Sequence, residues 1–322
     1  MHRFTCLATT LLIFSIPSIA AAQAAQDVCN GNERIAMYTD YYNKKKGDAA
    51  AQKEAYDIAK QYLQKWPQCS DQYAKAVQKF IDAYDQAKAQ TDLQVMVFGT
   101  NPNYPQAMEL GKRLLVSQPD DLNLLMTLGY AGYLALLKNN NALSADATIY
   151  SRKALQLIES GKTPAVWSPF QSKKEALALL NYALGEFTFS VNKDAAAAFP
   201  LYLKAATIDS PTKKSAVVYG RLATTYEVEY ERLNQDYITK FGGKPETDES
   251  KAALEKVNQL VDRLIDYYAR AISFAGNDAK LTQNKSAWME RLTEIYKFRH
   301  GGMTDGLDQL VANVTNTPLP QP

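Results

Sequence analysis

Four groups of residues in this chain have types and spacings that could do chemistry, and each needs partners elsewhere in the sequence. His300 is the only histidine beyond His2. A Ser-His-Asp triad would therefore have to be built around the turn Arg299-His300-Gly301-Gly302, and no Gly-x-Ser-x-Gly nucleophile elbow accompanies it. That histidine and a pair of thiols are too few ligands for a structural or hydrolytic zinc site. Gly242-Gly243-Lys244 lacks the earlier glycine of a phosphate loop and puts Pro245 where Ser or Thr should meet magnesium. Glu227 and Glu231 stand one helical turn apart, as on a solvated helix face, whereas glycoside hydrolysis needs two carboxyl groups about 5–10 Å apart across a sugar cleft. The expectation is a non-enzymatic protein without cofactor or metal. Asn284-Lys285-Ser286 and Asn313-Val314-Thr315 match glycosylation acceptors, which matter only where that machinery exists.

The remaining reactive groups are cysteines, and their meaning depends on where the chain goes. His2 and Arg3 precede an apolar run from Phe4 to Ile16, then Pro17 and small residues from Ser18 to Ala25, which is the pattern of a cleaved secretory leader. Cleavage after Ala22 or Ala24 fits, so residues 1–22 are expected to be lost, together with Cys6. The competing reading, a retained anchor, is disfavoured because the run is shorter than the ~18 apolar residues of a membrane helix, and no later stretch reaches that length. Cys29 and Cys69 then remain as an even pair in an exported chain, which favours a disulfide. It would contribute on the order of 3–4 kcal/mol by loop-closure entropy. A lipid on Cys29 is set aside, because Gln26-Asp27-Val28 is not the aliphatic-and-small run expected before a lipidated cysteine. The expected location is periplasmic or secreted.

Composition leaves helix as the scaffold. The chain is 46% hydrophobic and 22% charged with only 15 Gly and 13 Pro, enough to bury a large core. Lys and Arg number 36 against 34 Asp and Glu, so there is no basic excess for nucleic acid to use. From Glu33 onward the apolar residues keep helical spacing and strand-like alternation is not sustained. The spacing predicts a first pair over about 34–46 and 50–65, stopped by Pro67. A helix from about Asp71 to Gln90 follows, then a breaker-rich connection over 91–105 and a short helix ending at Gln118-Pro119. A third pair covers about 121–138 and 144–159, and a fourth about 173–190 and 195–208. The fifth pair is longer, with apolar stripes from Val218 to Tyr237 and from Leu254 to Ile272 around the turn Phe241-Gly242-Gly243-Lys244-Pro245. This reads as an elongated hairpin over about 226–261, with Asp248 a candidate cap. A last pair occupies about 286–299 and 305–314. The Pro-rich end, 316–322, reads as a disordered tail beyond a folded domain of 27–315.

Within the pairs one signature recurs: Leu128-Gly129 with Ala147, Tyr150 and Ala154; Leu184-Gly185 with Ala198, Tyr202, Ala205 and Pro211; Tyr219, Leu222, Ala223 and Tyr226; Leu292 and Tyr296 with Ala312. Ala147 and Ala154 are seven residues apart, so both small side chains face one neighbour and let it approach. By spacing and residue type this resembles the tetratricopeptide repeat family, although the units run longer than the family's roughly 34 residues. The resemblance implies an all-α fold, a right-handed α-α superhelix of about five to six hairpins with one elongated. It further implies that residues two before, two after and five after each leucine line a concave groove: Met126, Tyr130 and Tyr133; Tyr182, Glu186 and Phe189; Thr224 and Glu227; Glu290, Glu294 and Lys297. The groove would be aromatic at one end and acidic at the other, suiting an extended or helical protein segment.

The expected function is an exported scaffold that binds a protein or peptide partner in this groove. A second reading is a structural accessory subunit of a cell-envelope assembly. A third is a small-ligand-binding protein with its pocket between the fourth and fifth pairs.

Overall fold

The computed structural model describes residues 28–164 and 166–320, and the expected leader lies outside them. Among the described residues the chain is all-α, with twelve α-helices and short 3-10 and π turns. No helix of the described part is long and apolar enough to cross a membrane. The chain divides at Thr91/Asp92 into two compact units.

The first unit contains α1 (Asn32–Lys44), α2 (Ala49–Lys65) and the part of α3 (Gln72–Phe98) up to Thr91. Asp48 caps α2 by accepting from the Ala51 amide at 2.9 Å. The α2 face of Ala55, Ala59 and Tyr62 packs with Tyr41, Trp66 and Val77 in one buried cluster. Cys29 and Cys69 are bridged, with their Cα atoms 5.7 Å apart. Beside the bridge, Arg34 is buried and forks onto Asp71 at 2.7 and 2.8 Å, and its Nη1 also donates to the Cys29 carbonyl at 2.5 Å. Asp71 in turn accepts from the Tyr73 and Ala74 amides at 3.0 Å, so one carboxylate closes the ion pair and caps α3.

This arrangement sets a pH response. The Arg34 hydrogen bond, with help from the cap amides, holds the Asp71 carboxyl down at about 2 against an ordinary 3.8. A depressed carboxylate pKa means that the stabilisation is full above about pH 4 and is lost as pH falls through about 2. Urea titrations at stepped pH should therefore show the first unit weakening between about pH 4 and pH 2. In Asp71→Asn the unit should start weaker, and this contribution to the slope should vanish.

The second unit runs from Asp92 through α4 (Tyr104–Ser117), α5 (Leu122–Leu136), α6 (Ser144–Glu159), α7 (Lys173–Glu186), α8 (Ala195–Thr207), α9 (Ala216–Phe241), α10 (Asp248–Ala275), α11 (Thr282–Arg299) and α12 (Leu307–Asn313). Each helix from α4 to α10 packs on the next, α5 also packs on α7, and α12 packs on α10. The unit is thus a row of stacked hairpins in which first helices meet first helices. Asn103, Asp121, Ser172 and Asp194 cap α4, α5, α7 and α8 through their side chains.

The glycines of the repeated signature stand where helices press together. A Cβ on Gly129 would lie 2.3 Å from the Ser151 hydroxyl, and one on Gly185 would lie 2.6 Å from the Tyr202 ring; on the same helix as Gly129, one on Gly132 would lie 2.2 Å from the Ala147 Cβ. Ala147, Ala154, Ala198 and Ala205 are all fully buried at the facing positions. Gly132→Ala gains about 1 kcal/mol of helix propensity but forces apart two rigid atoms, an overpacking cost of about 3 kcal/mol. A net loss of about 2 kcal/mol is expected in denaturant titrations.

Several expectations shift. α3 continues to Phe98 instead of ending near Gln90, because no breaker occurs before Gly99 and Leu93 and Val97 are fully buried. α11 begins at Thr282, ahead of Ser286, and Ala312 is exposed. The return helix of the long hairpin is capped by Thr247, not Asp248: Thr247 and Ser250 exchange reciprocal bonds at 3.1 and 2.9 Å. Along that hairpin α9 buries nothing fully beyond Tyr230 and α10 buries only Ser250 before Val257, so residues 231–256 are mostly exposed, with Leu233 and Tyr237 half-buried against the core.

The segment after α12 is a correction. Expected as a loose tail from 316, it is instead held as far as Pro320. Buried Arg270 donates to the Thr317 and Pro318 carbonyls at 2.9 and 3.0 Å, and Leu319 packs against the core.

Candidate functional site

The first helices of the stacked pairs in the second unit, α5, α7, α9 and α11, present a connected row of rings and charges. It starts with Phe98 and Tyr130 at 6.4 Å between centroids, continues through Tyr130 and Tyr133 at 5.7 Å and Tyr133 and Tyr182 at 5.8 Å, and reaches Tyr202 at 5.6 Å from Tyr182. Edge and offset geometries of this kind favour a fixed aromatic floor. Tyr130, Tyr133 and Phe189 are half-buried and present part of each ring. Met126 is fully buried, and Tyr182 is 6% exposed, so these two are floor and not contact surface. A first helix packs on both its own partner and its neighbours, and that burial overrides the outward positions implied by the repeat.

Glu186 is the main correction to the expected groove. It is 4% exposed and engaged from three sides. Arg221 donates from Nε to Oε1 at 2.7 Å and from Nη2 to Oε2 at 3.0 Å, and the Tyr202 hydroxyl donates to Oε1 at 2.8 Å. Burial opposes the Arg221 charge, but Glu186 outweighs it and holds the guanidinium above its ordinary pKa. Burial and the same carboxylate push the Tyr202 hydroxyl up, so it stays a donor. The pair ties α7 to α9.

A second pair repeats the device one step along. Glu227 on α9 accepts from Arg291 on α11 and from the Tyr268 hydroxyl at 2.7 Å, and Arg291 Nη1 reaches Glu294 at 2.8 Å. Arg221 and Arg291 each stand immediately before the leucine of their unit. At the same position in the third pair, Thr127 accepts a bond from Gln94 at 3.3 Å. The residue before the leucine therefore faces the preceding first helix in all three. The recurrent Arg-Leu at 221–222 and 291–292 was the sequence signal for these fasteners, and it escapes a reading confined to the residues the family pattern names.

Two hollows flank the row. One of about 650 Å³ lies between the fourth and fifth pairs, lined by Phe189, Lys193, Arg221 and Val228. The chain widens there into a π turn over Phe187–Val191, which re-aims Phe189 so that its ring lies 5.6 Å from the Arg221 guanidinium. The other, of about 840 Å³, is lined on α11 by Met289, Glu290, Thr293, Glu294 and Lys297. Glu290, Glu294 and Lys297 are exposed and Thr224 is half-buried, its hydroxyl donating to the Gly220 carbonyl at 2.9 Å. Of the expected groove residues, then, Tyr130, Tyr133, Phe189, Thr224, Glu227, Glu290, Glu294 and Lys297 keep some open surface. The row is aromatic toward α5 and charged toward α11.

The chemistry of such a row is stacking, ion pairing and hydrogen bonding. His300 is exposed and its ring stacks on Tyr296 at 4.1 Å. Glu227 is bound to Arg291 and Tyr268, while Glu231 is exposed. Among the described residues no group of three or more His, Cys, Asp or Glu is placed to hold a metal ion. No protein-family model matches the chain, and no curated protein is detectably similar to it.

Proposed function

We propose that this is an exported helical-repeat scaffold of tetratricopeptide-like type, periplasmic or secreted, that holds a protein or peptide partner along the first-helix row of its second unit. The observation that supports the reading most is the continuity of that row: part-exposed rings from Tyr130 to Phe189 pass into the open charges of Glu290, Glu294 and Lys297. Apolar anchors flanked by a charged end suit a segment with aromatic or aliphatic side chains and some basic residues. Capture from the exported fraction, using the purified chain as bait, should enrich a partner. Glu290→Lys should reduce its retention at least five-fold at an unchanged melting midpoint, and Phe189→Ala should do so with a midpoint lowered by the loss of its packing on the core. Capture that enriches no protein over a control sinks the reading.

The solvent-standing part of the long hairpin favours a second reading, an accessory subunit of an envelope assembly that docks through this arm. Removing residues 235–252 separates the two. Unchanged association of the shortened chain counts for the groove, and lost association counts for the arm.

A further inference from the structure

The segment after α12 shows a peptide-reading site that neither the groove nor the hairpin involves. Arg270 is 4% exposed. Asp266 takes its Nε at 2.6 Å and shares its Nη2 at 3.2 Å; the same Nη2 reaches the Thr317 carbonyl at 2.9 Å, the Thr317 hydroxyl at 3.2 Å and the Pro318 carbonyl at 3.0 Å. The Tyr219 ring lies beside the guanidinium, 6.0 Å from centroid to Cζ, and the Tyr267 hydroxyl is 3.5 Å from the Pro320 carbonyl. Thr317 is extended, with φ −101° and ψ 152°, and Leu319 packs on the core between two prolines.

Each part of this arrangement selects a class of ligand. Asp266 already balances the Arg270 charge, so what the site offers is oriented N–H donors, which suit neutral peptide carbonyls better than a carboxylate. Prolines lack an N–H and disfavour helix, so a Pro-Leu-Pro segment presents its carbonyls with no internal competitor for them. When the segment leaves, the Arg270 guanidinium keeps Asp266 but gives up the Thr317 and Pro318 oxygens, and its freed donors turn to water. A second segment that offers carbonyls in the same places can take them back. The geometry points to a docking site on α10 for an extended, neutral, proline-containing segment of a partner protein, occupied in cis by residues 317–320 as an autoinhibitory plug. Thr317 closes the last 3-10 turn through its amide on the Val314 carbonyl at 3.2 Å, whereas Pro318 beyond it is exposed and outside any helix, so the plug belongs to the low-stability end of the fold.

The test uses a fluorescein-labelled, C-terminally amidated peptide Thr-Pro-Leu-Pro-Gln-Pro and the full chain carrying Pro318→Gly, Leu319→Ser and Pro320→Gly. Fluorescence anisotropy should show the plug-weakened chain binding the peptide at least ten-fold more tightly than the unaltered chain, whose own segment competes at high effective concentration. A peptide of the same composition with its prolines moved should not bind, and Arg270→Lys in the plug-weakened chain should lower affinity at least ten-fold. A folded plug-weakened chain that ignores the peptide up to millimolar concentration, or that binds both peptides alike, overturns the proposal. Should that variant not fold, an environment-sensitive dye on Leu319→Cys in the otherwise unaltered chain reads the same exchange. Release of the dye by the peptide supports the site, and an unchanged signal at millimolar peptide refutes it.

Discussion

Glu186→Ala should lower the melting midpoint of the second unit by about 6–12 °C, the largest loss expected from any one substitution in the row. The alanine removes the acceptor for two Arg221 donors and for the Tyr202 hydroxyl, all in a region where Glu186 itself is nearly sealed from water. Breaking a buried pair by taking one partner costs about 3–5 kcal/mol. The Arg221 side chain is 38% exposed and regains some hydration, which places the loss near the lower end, about 3 kcal/mol. At about 2–4 °C per kcal/mol for a unit of this size, the midpoint shift follows. The pair need not be stabilising as a whole, because apolar replacements of similar volume are often neutral. Glu186→Leu combined with Arg221→Met should accordingly recover much of the loss. Calorimetry of both variants decides the matter: a shift under 2 °C for Glu186→Ala would mean that the pair does not fasten α7 to α9.

Opening the Cys29–Cys69 bridge should cost about 4 kcal/mol, from the entropy released to a closed loop of 40 residues. The first unit has few resources with which to absorb it, since a domain of this size buries a smaller share of its surface than a larger one. Its core is a single cluster around Tyr41, Tyr62 and Trp66, with Cys69 inside it. Reduction, or Cys29→Ser with Cys69→Ser, should therefore strip amide-exchange protection from α1 and α2 while α9 and α10 keep theirs. Equal protection before and after reduction would show that the Arg34 and Asp71 fork and the aromatic cluster suffice without the bridge.

How much of this was legible in the sequence depended on whether a feature is local. Apolar spacing located the helices, because a face such as Ala55, Ala59 and Tyr62 is a property of one helix. Small residues at Gly129, Gly185, Ala147 and Ala198 marked helix-to-helix contact, because close approach tolerates nothing larger there. What depends on the neighbouring unit was not legible. Glu186 reads as an open acidic position in its own helix, and the Arg221 donor that closes it comes from 35 residues away. The π turn at Phe187–Val191 has no breaker to announce it and arises where α7 packs between α6 and α8. The proline-rich 317–320 segment reads as a tail, and only the buried Arg270 shows why it stays. Burial of Met126 and Tyr182 follows from the same cause: a residue that faces outward from one hairpin faces inward once the next hairpin stacks on it.

The claim that matters most is that a protein partner lies along the first-helix row, and site-specific photo-crosslinking in the native host tests it most directly. A benzoylphenylalanine would be placed at Phe189, at Lys297 and, as a reference on an exposed position of a second helix, at Arg152. The account predicts one discrete protein adduct shared by positions 189 and 297 and absent at 152. No adduct at either row position, or the same adducts at all three, would contradict it.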